Sequence, residues 1–286
     1  MAIITIKNEF LTAKIKSLGA ELTSVTDKDG KEYIWEGREK FWDGQAPVLF
    51  PIVGRLKNDR YTYKGKTYEM KAHGFAKETE FMVEEQSENS VTFVISSNEE
   101  TLKQYPFLFE FRVKFTLEDK KLIVSYITDN KGGEEMLYNV GSHEAYKISG
   151  TIDNYSLVLD EIETLDRFEV EPNGIICEKG IPCFENSREL KLSDDFFTVD
   201  AIILFDIKST GIALRDDRDG SQIHVDFKGN NSILIWRKPK APFACIEAWA
   251  GAPDVPWDKT DNFEEKYRMK FLPAGEREII THTIAF

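Results

Sequence analysis

Cysteine is scarce in this chain, and the scarcity excludes two architectures. Three cysteines, Cys177, Cys183 and Cys245, occur among 286 residues. They cannot all pair within the chain and show no CxxC spacing, so neither a disulfide framework nor a cysteine-based structural zinc site is expected. Histidine is nearly as rare, with four residues. HExxH, calcium-loop and glycine-rich phosphate-loop patterns are absent as well, so no metal or other cofactor is expected. No segment approaches the roughly 20 apolar residues needed to cross a bilayer. Met1 to Phe10 lacks the basic start and long apolar run of a secretory signal. These absences predict a cytoplasmic protein with no membrane partner. Positive charge is in deficit too: 37 Lys and Arg face 50 Asp and Glu, for a net charge of −13. With no basic run standing apart from the acidic residues, nucleic acid is excluded as a partner and a neutral ligand fits best.

What the chain does have is apolar and aromatic material. Hydrophobic residues make up 41%, including twenty Phe, ten Tyr and five Trp. That is enough for a large core and argues against disorder. No linker or fixed-period repeat divides the chain, so a single domain spanning residues 1–286 is expected. Period-two alternation dominates, most clearly from Phe109 to Leu117, where every odd position is apolar and every even one polar. A turn at Glu118-Asp119-Lys120 leads to a second run, Lys121 to Ile127, which predicts a hairpin. Short strand-like runs recur at Tyr61 to Tyr68 (itself a hairpin), Ser90 to Ser97, Tyr155 to Leu159, Ala201 to Phe205, Gly211 to Arg215, Gln222 to Phe227, Ser232 to Trp236 and Ile279 to Phe286. Helical signals are confined to Asn98 to Gln104, broken before Pro106, and Ser193 to Phe197, with Ser193 as a candidate N-cap. The pattern predicts an all-β fold, a large antiparallel β-sandwich with few short helices.

With so few histidines, each can be weighed individually. His73 precedes Gly74 in a loop, and His143 sits among small and polar residues in Gly141-Ser142-His143-Glu144. Each is as compatible with a structural role as with a functional one. His224 alternates with Ile223 and Val225 and reads as the polar face of a strand; His282 reads as the polar face of the last strand. Glu247 lies in a mostly apolar run, where burial would raise its pKa toward the range of a general base; an outward-facing strand position is the alternative. Arg55, placed by Pro51 and Gly54, is either a fork-shaped donor to a ligand or an ion-pair partner.

Taken in order, Ala46-Pro47-Val48-Leu49-Phe50-Pro51-Ile52-Val53-Gly54-Arg55-Leu56, His73-Gly74-Phe75, Tyr105-Pro106-Phe107, Gly141-Ser142-His143, Cys245-Ile246-Glu247-Ala248-Trp249 and Leu272-Pro273-Ala274-Gly275-Glu276 form a series that resembles the aldose 1-epimerase family, most closely its LacX-type bacterial branch. The resemblance covers nearly the whole chain. It implies a galactose-mutarotase-like supersandwich and an enzyme that interconverts hexose anomers without a cofactor. By motif position it implies Glu247 as general base, His143 as general acid, and His73 and Arg55 as groups holding hydroxyls and developing charge. Asp200 resembles the family's substrate-binding aspartate, and Trp249 or Phe75 would offer an apolar wall to the sugar. The chain departs from the branch at Lys77, where Arg is common, and at Glu144 and Ala248, where Pro is common. A hexose 6-phosphate substrate and a non-catalytic carbohydrate-binding role are the alternatives on this fold. The sequence leaves open whether the protein is a monomer or a homodimer.

Overall fold

The computed structural model describes residues 1–171, 173–198 and 201–286. Its centre is a 14-stranded sheet. Along the main path the order is Val140–Gly141, Phe243–Ala250, Ser232–Trp236, Ala201–Phe205, Tyr155–Val170, Gly211–Asp216, Gln222–Asp226, Arg277–Ala285, Lys121–Asn130, Phe109–Glu118, Ser90–Ser96 and Met82–Gln86. Ala145–Lys147 and Ile181–Lys191 pair beside this path, with Phe243–Ala250 and Tyr155–Val170 respectively. Neighbours in this sheet run antiparallel. A three-stranded sheet of Ile3–Lys7, Leu11–Lys16 and Glu21–Asp27 precedes it.

The local patterns explain most of these elements. Phe109, Phe111, Val113, Phe115 and Leu117 are buried, while the even positions between them are only partly so. Alternate side chains of a strand leave on opposite faces, so this spacing puts every aromatic of the run into one core. The strand turns back through Asp119 and Lys120, with Glu118 opposite Lys121 and Asp119 at φ 48°. The helix Glu99–Gln104 starts where Asn98 accepts from the N–H groups of Glu100 and Thr101, and the Thr101 hydroxyl accepts from Asn98 N–H in return. That reciprocal cap satisfies donors the first turn leaves open. Asp194–Phe197 is a 3-10 turn, and Ser193 before it makes no side-chain cap bond, contrary to the sequence expectation. Among the described residues no helix is long and apolar enough to cross a membrane.

His282 corrects another expectation. It lies on the inward face of Arg277–Ala285 with Ile280 and Ile284, only 1% exposed, whereas Ile279 points outward. Its Nε2 lies 2.9 Å from the buried Glu144 carboxylate, and that partner permits a histidine on the core face. His224 does occupy a partly exposed strand face, paired with Asp160.

Candidate functional site

Strand register assembles the centre of the site. Val140 and Gly141 sit opposite Ala250 and Trp249, and a few residues on, Ala145 sits opposite Cys245. The register is the same on both sides, so the segment between spans the strand at Glu247 and brings His143 across from it. Ser142 N–H donates to Ala248 O, and Ala248 N–H donates to the Ser142 hydroxyl, which ties the segment down. His143 Nδ1 consequently lies 3.4 Å from Glu247 Oε1. The next strands continue the same face: Trp236 is opposite Cys245, Leu234 opposite Glu247, and Ala201 opposite Trp236.

This face floors a cavity of about 590 Å³, within the size range of small-molecule sites. Arg55, His73, Lys77, His143, Glu247 and Trp249 all line it. Gly141 makes room for Trp249: a Cβ there would lie 2.5 Å from the indole Cδ1. The Trp249 indole N–H donates to Ser142 O, so the pyrrole edge of the ring is held against the same segment. His73 adopts φ 66°, a conformation uncommon outside glycine, and is fixed by two bonds to one residue. Its backbone N–H donates to Gly54 O, and Gly54 N–H donates to its Nδ1. Acceptance at Nδ1 puts the neutral ring's proton on Nε2, leaving that N–H for a ligand. The Arg55 side chain is 45% exposed and 3.6 Å from Asp59, so most of its donors remain available to a ligand.

Burial is the main electrostatic influence. It holds His143 near a pKa of about 4, against its ordinary 6.5, and only partly do its own backbone and the Glu144 carboxylate offset it. Burial also pushes His73 well down, with His143, Lys77 and Arg55 adding to the effect. Lys77 is lowered by burial and then by the nearby Lys71 and Arg55 charges, although Glu78 opposes this. Glu144 points to the other face of the sheet. Burial would raise its carboxyl, but His282 and Ser142 bring it below the ordinary value.

Two tryptophans that sequence reading did not select complete the enclosure. Trp42 stacks on His143 with ring centroids 4.8 Å apart, and Trp236 meets the same imidazole edge-on at 5.4 Å. Trp42 comes from a loop with no periodic signal; its one local clue is Gly44, where a Cβ would lie 2.5 Å from the indole. Phe75 is a correction. It packs against Phe50, Tyr105 and Phe109 inside the core and does not line the cavity. The reason is Gly74, whose backbone lies so close to Phe50 that a Cβ would sit 2.3 Å from its carbonyl oxygen, while Phe75 N–H donates to that same oxygen and its side chain turns inward. Asp200 lies outside the described residues.

Comparison with known proteins agrees with this architecture. A model of the aldose 1-epimerase family matches residues 2–282. The plasmid-encoded protein LacX of Lactococcus lactis subsp. lactis is 37% identical over 261 residues, 87% of each chain. A galactose mutarotase related enzyme from Lactobacillus acidophilus superposes with a TM-score of 0.94 at 33% identity, covering 99% of this chain and 97% of that one. A galactose mutarotase-like protein from Lactobacillus casei gives 0.93 at 32%, covering 99% of both chains. The chain belongs to the aldose 1-epimerase family. It is an isomerase of the mutarotase kind, acting on a small carbohydrate.

Proposed function

We propose that the protein interconverts the α and β anomers of a free hexose, with Glu247 as base and His143 as acid. Glu247 takes the proton of the anomeric hydroxyl while His143 gives one to the ring oxygen. The bond between C1 and the ring oxygen breaks, leaving an open-chain aldehyde. Rotation about C1–C2 presents the other carbonyl face, and reclosure with the proton transfers reversed yields the other anomer. Atoms balance, and the two groups end with their protons exchanged back.

The observation that supports this most directly is the 3.4 Å approach of His143 Nδ1 to Glu247 Oε1 on the cavity floor. Burial holds His143 toward the neutral imidazole, so its acid form depends on contacts that favour the charged ring. Glu247 beside it and sugar hydroxyls in the cavity both favour an imidazolium. His73, through Nε2–H, and Arg55 hold sugar hydroxyls, with Asp200 assigned to the same task by family resemblance, and Trp249 lies against the apolar face of the ring. Cytoplasmic location and the absence of nucleic-acid or membrane partners remain part of this reading, supported by the acidic charge.

The test is polarimetry of fresh α-D-glucose and α-D-galactose. Wild-type protein should accelerate the decay of optical rotation, and Glu247→Gln and His143→Asn should each lower kcat by about 10²- to 10⁴-fold. Wild-type turnover in either variant removes that residue from the chemistry.

A hexose 6-phosphate is the second reading, favoured by Arg55 and Lys77 at one cavity with Lys77 held down partly by neighbouring cations. A phosphate there would relieve that repulsion. A higher kcat/KM for the phosphorylated sugar, lost in Lys77→Met, would select it over the free hexose.

A further inference from the structure

Beneath the cavity floor, buried beside His143 and Glu247, lies a third group that anomer interconversion does not use. Cys245 lies two residues before Glu247 on Phe243–Ala250, so both side chains leave the same face of the strand. A ligating nitrogen of His143, the Cys245 sulfur and a carboxylate oxygen of Glu247 all lie within 4.8 Å of one another, and all three residues are buried. We propose that His143, Cys245 and Glu247 form a binding site for a thiophilic divalent cation, with Zn²⁺ as the fitting ion, whose occupancy shuts the active site.

The donor set is the argument. Imidazole, thiolate and carboxylate are the three ligand types that zinc takes, and three protein ligands with one open position is a usual coordination. The open position here faces the cavity, because His143 and Glu247 line it. Charge favours the ion as well. As the zinc–sulfur bond forms the thiol proton leaves to solvent, and a dication with one thiolate, one carboxylate and a neutral imidazole is a neutral assembly. A neutral cluster suits a buried floor far better than a lone charge does. Trp236, opposite Cys245, and Trp42, stacked on His143, bound the site with apolar surface. Hard cations such as Mg²⁺ are disfavoured by the sulfur. The ligands come from positions 143, 245 and 247, a spacing that matches no sequence signature for zinc.

Binding itself is independent of the proposed mechanism; only the inhibition rests on Glu247 and His143 moving protons. The experiment therefore has two readouts. In equilibrium dialysis of metal-free protein against Zn²⁺, the wild type should bind one ion per chain, and Cys245→Ala and Cys245→Ser should each bind at least tenfold more weakly. Titration with Co²⁺ should give the wild type a thiolate-to-metal charge-transfer band that both variants lack, with circular dichroism confirming that they are folded. In the anomerisation assay, Zn²⁺ should inhibit the wild type in competition with sugar and a chelator should restore activity. The Cys245 variants should work at wild-type rate without Zn²⁺ and need at least tenfold more of it for the same inhibition. No Zn²⁺ binding by the wild type, no thiolate band, or equal binding by folded Cys245 variants overturns the site. Binding through Cys245 without inhibition overturns the shut-off and the assigned catalytic roles while the metal site stands.

Discussion

Trp42 lies on the face of His143, with ring centroids 4.8 Å apart and planes 29° from parallel. The imidazole is thereby held between an indole stacked on one face and Trp236 meeting it edge-on. A proton donor must be oriented to well within an ångström, and misplacement on that scale costs about 10²-fold in rate. Trp42→Ala should therefore lower kcat on the order of 10- to 100-fold, and Trp42→Phe should recover most of it. Unchanged kcat in Trp42→Ala would show that His143 is oriented by other contacts.

Gly141 is required for space, since no left-handed backbone angle is involved there. A Cβ would meet Trp249 Cδ1 at 2.5 Å and Val53 Cγ1 at 3.1 Å, and Trp249 cannot swing away without losing its bond to Ser142 O. Gly141→Ala should destabilise by about 1–3 kcal/mol, the usual cost of overpacking. Urea denaturation measures this, and adding Trp249→Leu should recover part of the loss.

The buried histidines give stability a definite pH dependence. In the unfolded chain both titrate near 6.5, whereas in the folded protein His143 titrates near about 4 and His73 well below its ordinary value. Between pH 6.5 and 4 the unfolded chain binds protons that the folded one does not. Stability is thus full above pH 6.5 and falls as pH drops through that window. For His143 alone the loss by pH 4 is about 3 kcal/mol. Denaturant unfolding at pH 7, 5.5 and 4.5 should show His143→Asn gaining on the wild type as pH falls. Parallel curves would contradict the assignment.

The Glu144–His282 pair should behave as a unit. Glu144 is 4% exposed and His282 1%, so removing one partner strands the other away from water. His282→Leu should cost about 3–5 kcal/mol, as breaking buried pairs does. Combined with Glu144→Leu it should cost less than the sum of the single changes. A double-mutant cycle by thermal or urea unfolding reads the coupling, and simple additivity would mean the contact contributes nothing.

Strand content was legible in the sequence because its signal is local. The alternation from Phe109 to Leu117 declares both a strand and its buried face, and Asn98 declares the start of the one α-helix of the described residues. The sugar-binding candidates emerged from ordered family motifs, and Arg55, His73, His143, Glu247 and Trp249 line one cavity. Alternation misled at His282, because a polar residue on a strand is read as outward unless its partner is known. That partner, Glu144, is 138 residues away.

What residue pattern alone determined, then, was an all-β chain with few histidines and a net negative charge. Tertiary structure decided which side chains meet. Pairing of residues 140–147 with Phe243–Ala250 faces His143 to Glu247, puts Cys245 beside them and turns Glu144 to the opposite side. It also brings Trp42 from an unpatterned loop onto His143 and leaves Phe75 in the core. The reason is physical: backbone periodicity acts over neighbouring residues, whereas register and side-chain packing join segments a hundred residues apart.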